Sequence, residues 1–264
     1  MSRRQAVAYV LPGFPVSKLI KVRVNDKIKD ELIKLDEMRV SPRLKVGMLY
    51  MRRGQRSEEE VFGNREGSPA FDKFLDLIGR CVKLKGFEGF NGGLDIRHGN
   101  MGEYSCYAQT RGFDIMFHVS TLLPFSERDP QQIQRKSHIG NDIVCVVFLD
   151  ESTPGSESPS AGTGLGFDPA MVRSHYLTVF IVVSPWTMNG TEGYRVSVAT
   201  QQDVPAFGPS LPPAGFFVNA SQLHDFLLAK IINAENAAFK SPKFLRLHSR
   251  TRTMFLDDLV QTYI

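Results

Sequence analysis

Cysteine is scarce in this chain: Cys81, Cys106 and Cys145 are the only three in 264 residues. An odd number at wide spacing excludes a paired disulfide framework, and no zinc-ligand spacing is present. All three read as reduced, buried thiols of a cytoplasmic protein. Long apolar runs are missing as well. None approaches the roughly 18 residues of a membrane helix, and "MSRRQAVAYV" holds no signal-peptide core. The sequons at Asn189 and Asn219 are therefore read as chance matches. There is no internal repeat. Basic residues exceed acidic ones only slightly, 32 against 28, for a net charge of +4. The basic residues are dispersed and form no stripe interleaved with aromatics, which argues against a nucleic-acid binder. A contact with an acidic protein surface or a phosphate stays open.

What is present is a sequence of alternating strand and helix patterns. "SKLIKVRV" alternates like a half-exposed strand, and "NDKIKDELIKL" follows as a helix capped by Asn25, with Ile28, Leu32 and Leu35 inward. "LKVGMLYM" is a second strand. "QRSEEEVF" opens with Ser57 and three glutamates, which suit the positive end of a helix. "SPAFDKFLDLIG" has Ser68 as cap, Pro69 in the first turn and Gly79 as terminator. "KGFEGFNGGLD" is a glycine-rich turn, and "EYSCYAQT" and "GFDIMFHVSTLL" form a hairpin around Arg111 and Gly112.

Further on, "DIVCVVFL", "HYLTVFIVV" and "GYRVSVAT" read as strands. The Ser-, Gly- and Pro-rich segment 151–168 reads as a mobile surface loop, and "SQLHDFLLAKIINAENAAFK" as an amphipathic helix burying Leu223, Phe226, Leu227 and Ile231. The tail reads as a last helix or two. Nearly continuous apolar strands mixed with amphipathic helices predict an α/β domain, a mixed sheet covered by helices on both faces.

The chemistry concentrates in "DPQQIQRKSHIGNDIVCVVFLD", residues 129–150. Asp129 with Pro130 and Gln132 resembles a capping box, predicting a helix over 130–139. Gln134, His138 and Asn141 then share one face, flanked by Arg135 and Lys136. So few apolar residues lie here that most of the helix should face water or a partner. A plainer reading competes: Gly140 and Asn141 also suit a helix end, where basic residues are favourable. Asp142 begins the strand and is expected to point away from this face.

Five segments carry a resemblance: "VGMLYMRRGQRSEEEVF", "GFNGGLDIRHGNMG", "IMFHVSTLLPF", "RKSHIGNDIVCVVFLDE" and "DVPAFGPSLP". Together, over about residues 40–264, they resemble the catalytic domain of the Rap GTPase-activating proteins, a family that includes the Rheb-directed tuberin and the Ral-directed activators. "IMFHVST" is closer to the Rap-directed branch. The resemblance implies a catalytic domain over 41–264 that itself resembles a G domain. Residues 1–40 would be the remnant of an α/β subdomain used for dimerisation, which leaves a homodimer open.

It also implies a mechanism. Most Ras-like GTPases use a glutamine to orient the attacking water, and Rap lacks it. The activator inserts an asparagine, matched here by Asn141, whose carboxamide both accepts and donates. His138 would support it and contact the GTPase, and Lys45, Arg135 and Lys136 would assist binding. GTP and magnesium would arrive on the partner, a Rap-type GTPase with Ral or Rheb as alternatives, so no cofactor or metal of this chain's own is expected. Ser137 departs from the family, which often has a cation there. That departure and the 151–168 loop motivate the alternative of a GTPase-binding scaffold with weak activity. A free-standing phosphate-ester hydrolase using His138 is disfavoured, because neither a nucleophile nor a metal cluster accompanies it.

Overall fold

A computed structural model describes residues 2–20, 22, 25–37, 41–150 and 166–263. The chain divides into two compact units. Met1–Val40 and Arg246–Ile264 form one, and Ser41–Leu245 the other.

The larger unit is built on one eight-stranded sheet of order β2-β3-β4-β1-β5-β6-β7-β8. Its strands are β1 (Arg43–Arg52), β2 (Arg80–Lys83), β3 (Tyr104–Thr110), β4 (Phe113–Val119), β5 (Val144–Asp150), β6 (Val179–Met188), β7 (Thr191–Thr200) and β8 (Phe216–Phe217). The four central strands, β4, β1, β5 and β6, run parallel. Antiparallel strands flank them on both sides. Parallel strands must be covered on both faces, and the sequence of β5, buried at every position, follows from that.

Alternation along the strands divides the core. Val46, Met48 and Tyr50 of β1 and Val144, Val146 and Phe148 of β5 meet the helices α4 (Pro69–Ile78) and α6 (Ala220–Ala238) on one face. Leu49 and Met51, with Cys145, Val147 and Leu149, lie on the other among Val61 and Phe62 of α3 (Glu58–Phe62) and Ile139 of α5 (Ile133–Ile139). The sheet is therefore mixed and covered by helices on both faces, as the apolar strand pattern implies.

The smaller unit contains α1 (Arg3–Val10), α2 (Asp26–Glu37) and most of α7 (Pro242–Tyr263). Asn25 Oδ1 accepts from Ile28 N at 2.9 Å, the expected cap of α2. Ile28 and Leu35 are buried, but Leu32 is exposed. Arg252 of α7 donates to the Leu35 carbonyl at 2.8 Å. The strand expected over "SKLIKVRV" does not form at Val16–Lys18, which is a single 3-10 turn. Alternation alone supplies no neighbouring strand to take up the backbone bonds. Part of that segment, and most of the 151–168 loop, lie outside the described residues.

Candidate functional site

The segment 129–142 folds as a short helix that delivers its last residues to the start of β5. Asp129 is not the N-cap, a position that falls to Gln132 without a side-chain cap bond, though Asp129 Oδ2 accepts from Ile133 N at 2.7 Å. The helix nevertheless begins three residues later than the sequence suggests, at Ile133, because Gln132 adopts a left-handed backbone, φ 49°. The Gln132 side chain does not complete a capping box. It bridges the Ser126 backbone instead, accepting from N at 3.0 Å and donating to O. Gly47 of β1 makes room for the helix: a Cβ there would stand 2.9 Å from Ile139 Cγ2.

Asn141 follows the helix and is exposed. Its Nδ2 donates to the Ser137 carbonyl at 2.6 Å. A carbonyl can only accept, so this bond fixes which end of the amide is nitrogen and leaves Oδ1 without a hydrogen bond among the described residues. The Asn141 backbone carbonyl is held by Lys45 Nζ at 2.9 Å.

The next residue turns inward. Asp142 is fully buried, its Oδ2 2.8 Å from Nδ1 of the equally buried His118. The other carboxylate oxygen, Oδ1, lies 3.7 Å from Lys45 Nζ, an ionic contact too long to be a hydrogen bond. His118 Nε2 meets the Gly92 carbonyl at 3.1 Å. Lys45 lies over this buried pair, its Nζ reaching both the Asn141 carbonyl and Asp142. Burial pushes the Asp142 carboxyl upward, opposed by its bond to His118 and by Lys45.

His138 is half-buried beside this couple, its ring edge-on to His118 with centroids 5.4 Å apart. Its Nε2 contacts Met101 Sδ at 3.0 Å. Burial lowers its pKa, with His118 and Lys45 adding to the effect, so the imidazole is neutral at pH 7. Gln134 reaches the same loop, donating to the Asn100 carbonyl at 3.4 Å. The glycine-rich segment thus lies against the helix face that carries His138. Asp95 organises it by accepting from the backbone N–H groups of Arg97, His98 and Asn100, which hold its carboxyl far below the usual range.

Two expected rim cations are placed otherwise. Arg135 is 1% exposed, not a surface contact. Its Nη1 donates to the Phe62 and Asn64 carbonyls at 2.9 and 2.6 Å, and its Nε to those of Leu123 and Pro124 at 3.1 and 3.2 Å. The helix has so few apolar residues that this cation's satisfied fork helps to anchor it. Burial pushes its pKa down to about 10, so it stays charged at neutral pH. Lys136 is paired with the buried Glu58 at 2.5 Å, and Glu58 also accepts from Arg173 N. Lys45, with 43% of its side chain exposed, is the expected cation that remains open beside Asn141.

Sequence reasoning missed His118, Asp142 and Met101. Their juxtaposition depends on the parallel β4-β1-β5 register, which no local pattern reveals. Among the described residues, no cluster of three or more His, Cys, Asp or Glu side chains could hold a metal. None of the described helices is long and apolar enough to cross a membrane.

The Rap/ran-GAP family model matches residues 61–253. The chain belongs to the Rap/Ran-GAP family. This Rap/Ran-GAP chain is 42% identical over 264 residues to the mouse (Mus musculus) signal-induced proliferation-associated 1-like protein 2, covering 99% of this chain and 15% of that protein. It is 43% identical to the human (Homo sapiens) signal-induced proliferation-associated protein 1, covering 98% of this chain and 24% of the relative. It thus spans less than a quarter of the length of these relatives. A solved structure of the TSC2 GAP domain superposes with a TM-score of 0.58 at 29% identity, over 74% of this chain and 96% of that one.

Proposed function

We propose that this chain stimulates GTP hydrolysis by a small GTPase of the Rap type, which brings its own GTP and magnesium. The carrying observation is an exposed asparagine whose nitrogen is tied back to Ser137, which leaves its oxygen as the free acceptor. A free acceptor is what a lytic water needs, because it receives a proton-bearing O–H and fixes the direction of attack. The carboxamide has no useful pKa, so Asn141 contributes placement and electrostatics and takes no proton. Lys45 contributes a positive charge near the triphosphate, and neutral His138 flanks the amide as a partner contact. Lys136 reaches a partner only by giving up Glu58. The Rap type is favoured over Ral or Rheb by the wording of the "IMFHVST" segment. The name of a chicken (Gallus gallus) relative, GTPase-activating Rap/Ran-GAP domain-like protein 3, 40% identical over 234 residues, also supports a GTPase-activating role.

The test is single-turnover hydrolysis by GTP-loaded Rap, Ral and Rheb with this chain added. Rap should respond most. Asn141→Ala should lower the stimulated rate by about 100-fold or more while complex formation persists, the scale seen when one preorganised donor is removed. Full stimulation by the variant would remove Asn141 from the mechanism. Capture of the GTPase without any acceleration by the wild type would favour the scaffold reading, which Ser137, in place of a rim cation, makes worth separating.

A further inference from the structure

The glycine-rich segment that presents Gly92 to His118 and Met101 to His138 leaves and re-enters the sheet through β2 and β3. These strands pair antiparallel with Cys81 opposite Cys106. The same register places Leu84 opposite Glu103, and Leu84 N donates to the Glu103 carbonyl at 2.9 Å, which marks a hydrogen-bonded pair. Bonded and non-bonded pairs alternate along an antiparallel ladder. Counting back along the register makes 82/105 bonded and 81/106 non-bonded. Directly opposed residues of a non-bonded pair have Cα atoms about 4.5 Å apart with side chains on one face, inside the roughly 4.4–6.8 Å span of a disulfide.

The two thiols differ in access. Cys81 is exposed on the edge strand, so an oxidant can reach it, which corrects the expectation that all three thiols are buried. Cys106 is buried, with its Sγ against the Leu75 carbonyl at 3.6 Å. We propose that Cys81 and Cys106 form an oxidation site, an attacking and a resolving thiol, at which a peroxide writes a reversible cross-link between the two stems of the glycine-rich segment. The Cys81 thiolate attacks one oxygen of the peroxide, the O–O bond breaks, and Cys81 becomes a sulfenic acid while the departing hydroxide takes up the proton the thiol had released, leaving as water. The Cys106 sulfur then displaces the hydroxyl from the Cys81 sulfur. Its thiol proton leaves with that hydroxyl as a second water. Two thiols and one hydrogen peroxide give one disulfide and two waters, and thiol reductants reverse it. Burial and the neighbouring Cys81 push the Cys106 thiol up to about 12, so peroxide meets the exposed Cys81 first. The third cysteine, Cys145, is buried on the opposite face of the sheet and serves as an internal control.

The experiment treats the whole chain with hydrogen peroxide, blocks remaining thiols and maps the digested peptides by mass spectrometry. The expected product joins the Cys81 and Cys106 peptides, two hydrogens lighter than their sum, with Cys145 still free, and dithiothreitol restores both thiols. Cys81→Ser, an exposed replacement, should abolish the link and leave Cys106 unmodified. The oxidised wild type should melt about 5 °C higher than the reduced one, and that rise should vanish in Cys81→Ser. The proposal is overturned if Cys81 ends as a sulfinic acid or as a dimer through Cys81 while Cys106 stays free. It is equally overturned if the link forms but lowers the melting midpoint, since a bond that suits this register does not strain it.

Discussion

At the scale of single residues, the site depends on where two cations point. Lys45 points out and Arg135 points in. Arg135→Met keeps much of the side chain's bulk but leaves the carbonyls of Phe62, Asn64, Leu123 and Pro124 without their donor. The expected loss is about 3 kcal/mol of stability, the usual scale for breaking a buried, satisfied polar cluster, read as a lowered urea midpoint. Lys45→Met should behave differently. It releases the Asn141 carbonyl and Asp142 Oδ1 on a partly exposed side chain. GTPase stimulation should fall by at least about tenfold, with a stability loss of only about 1 kcal/mol, a split visible by pairing single-turnover rates with urea unfolding. Sequence separated neither case. Arg135 and Lys136 are adjacent basic residues in a polar stretch, and only the helix phase and the packed ends of α3 and β4 decide which one is buried.

At the scale of elements, most of the architecture could be read from the chain. Ser57 and Ser68 cap α3 and α4 as expected, because each offers a side-chain oxygen to the first free N–H groups, while the Asn219 cap of α6 emerges only in the fold. The apolar runs became the central strands. The start of α5 is not legible locally, because a left-handed Gln132 is a tertiary choice, held by the Ser126 backbone six residues away. The glycine-rich segment showed its turns but not its function, which is to supply a carbonyl and a thioether to two histidines. Gly102 lets it close: its φ is 92°, and a Cβ there would stand 2.3 Å from the Leu122 carbonyl oxygen. Gly102→Ala should therefore cost about 2 kcal/mol or more. It should also shift the His118 and His138 ring resonances in NMR spectra, since Met101 is its immediate neighbour.

For the molecule as a whole, stability should depend on pH through one buried acid on the far face of the sheet. Glu235 of α6 has an oxygen without a hydrogen-bond partner among the described residues. Burial, reinforced by Asp142, pushes its pKa from 4.5 up to about 8. The native state then keeps a proton that the unfolded chain has already released, so stability falls as pH rises between about 4.5 and 8. The size of the effect is about 3–5 kcal/mol. Glu235→Gln should flatten this dependence, leaving the variant more stable than the wild type at alkaline pH and little different in acid, measured by urea unfolding across that window. The two compact units should also differ in dynamics. Among the described residues of the smaller one, only Ile28 and Leu35 are buried apolar side chains, so amides of α2 should exchange with deuterium at least about 1000-fold faster than those of β5.

Asn141 and Asp142 are consecutive, one facing solvent and the other the interior. A single peptide therefore carries both an amide held at the surface and the carboxylate that anchors it from beneath. On the proposed function, side chains around that amide, Ser137 included, can change without moving it. Changes at His118, Asp142 or Gly92 have no such freedom, because each would shift the tool itself.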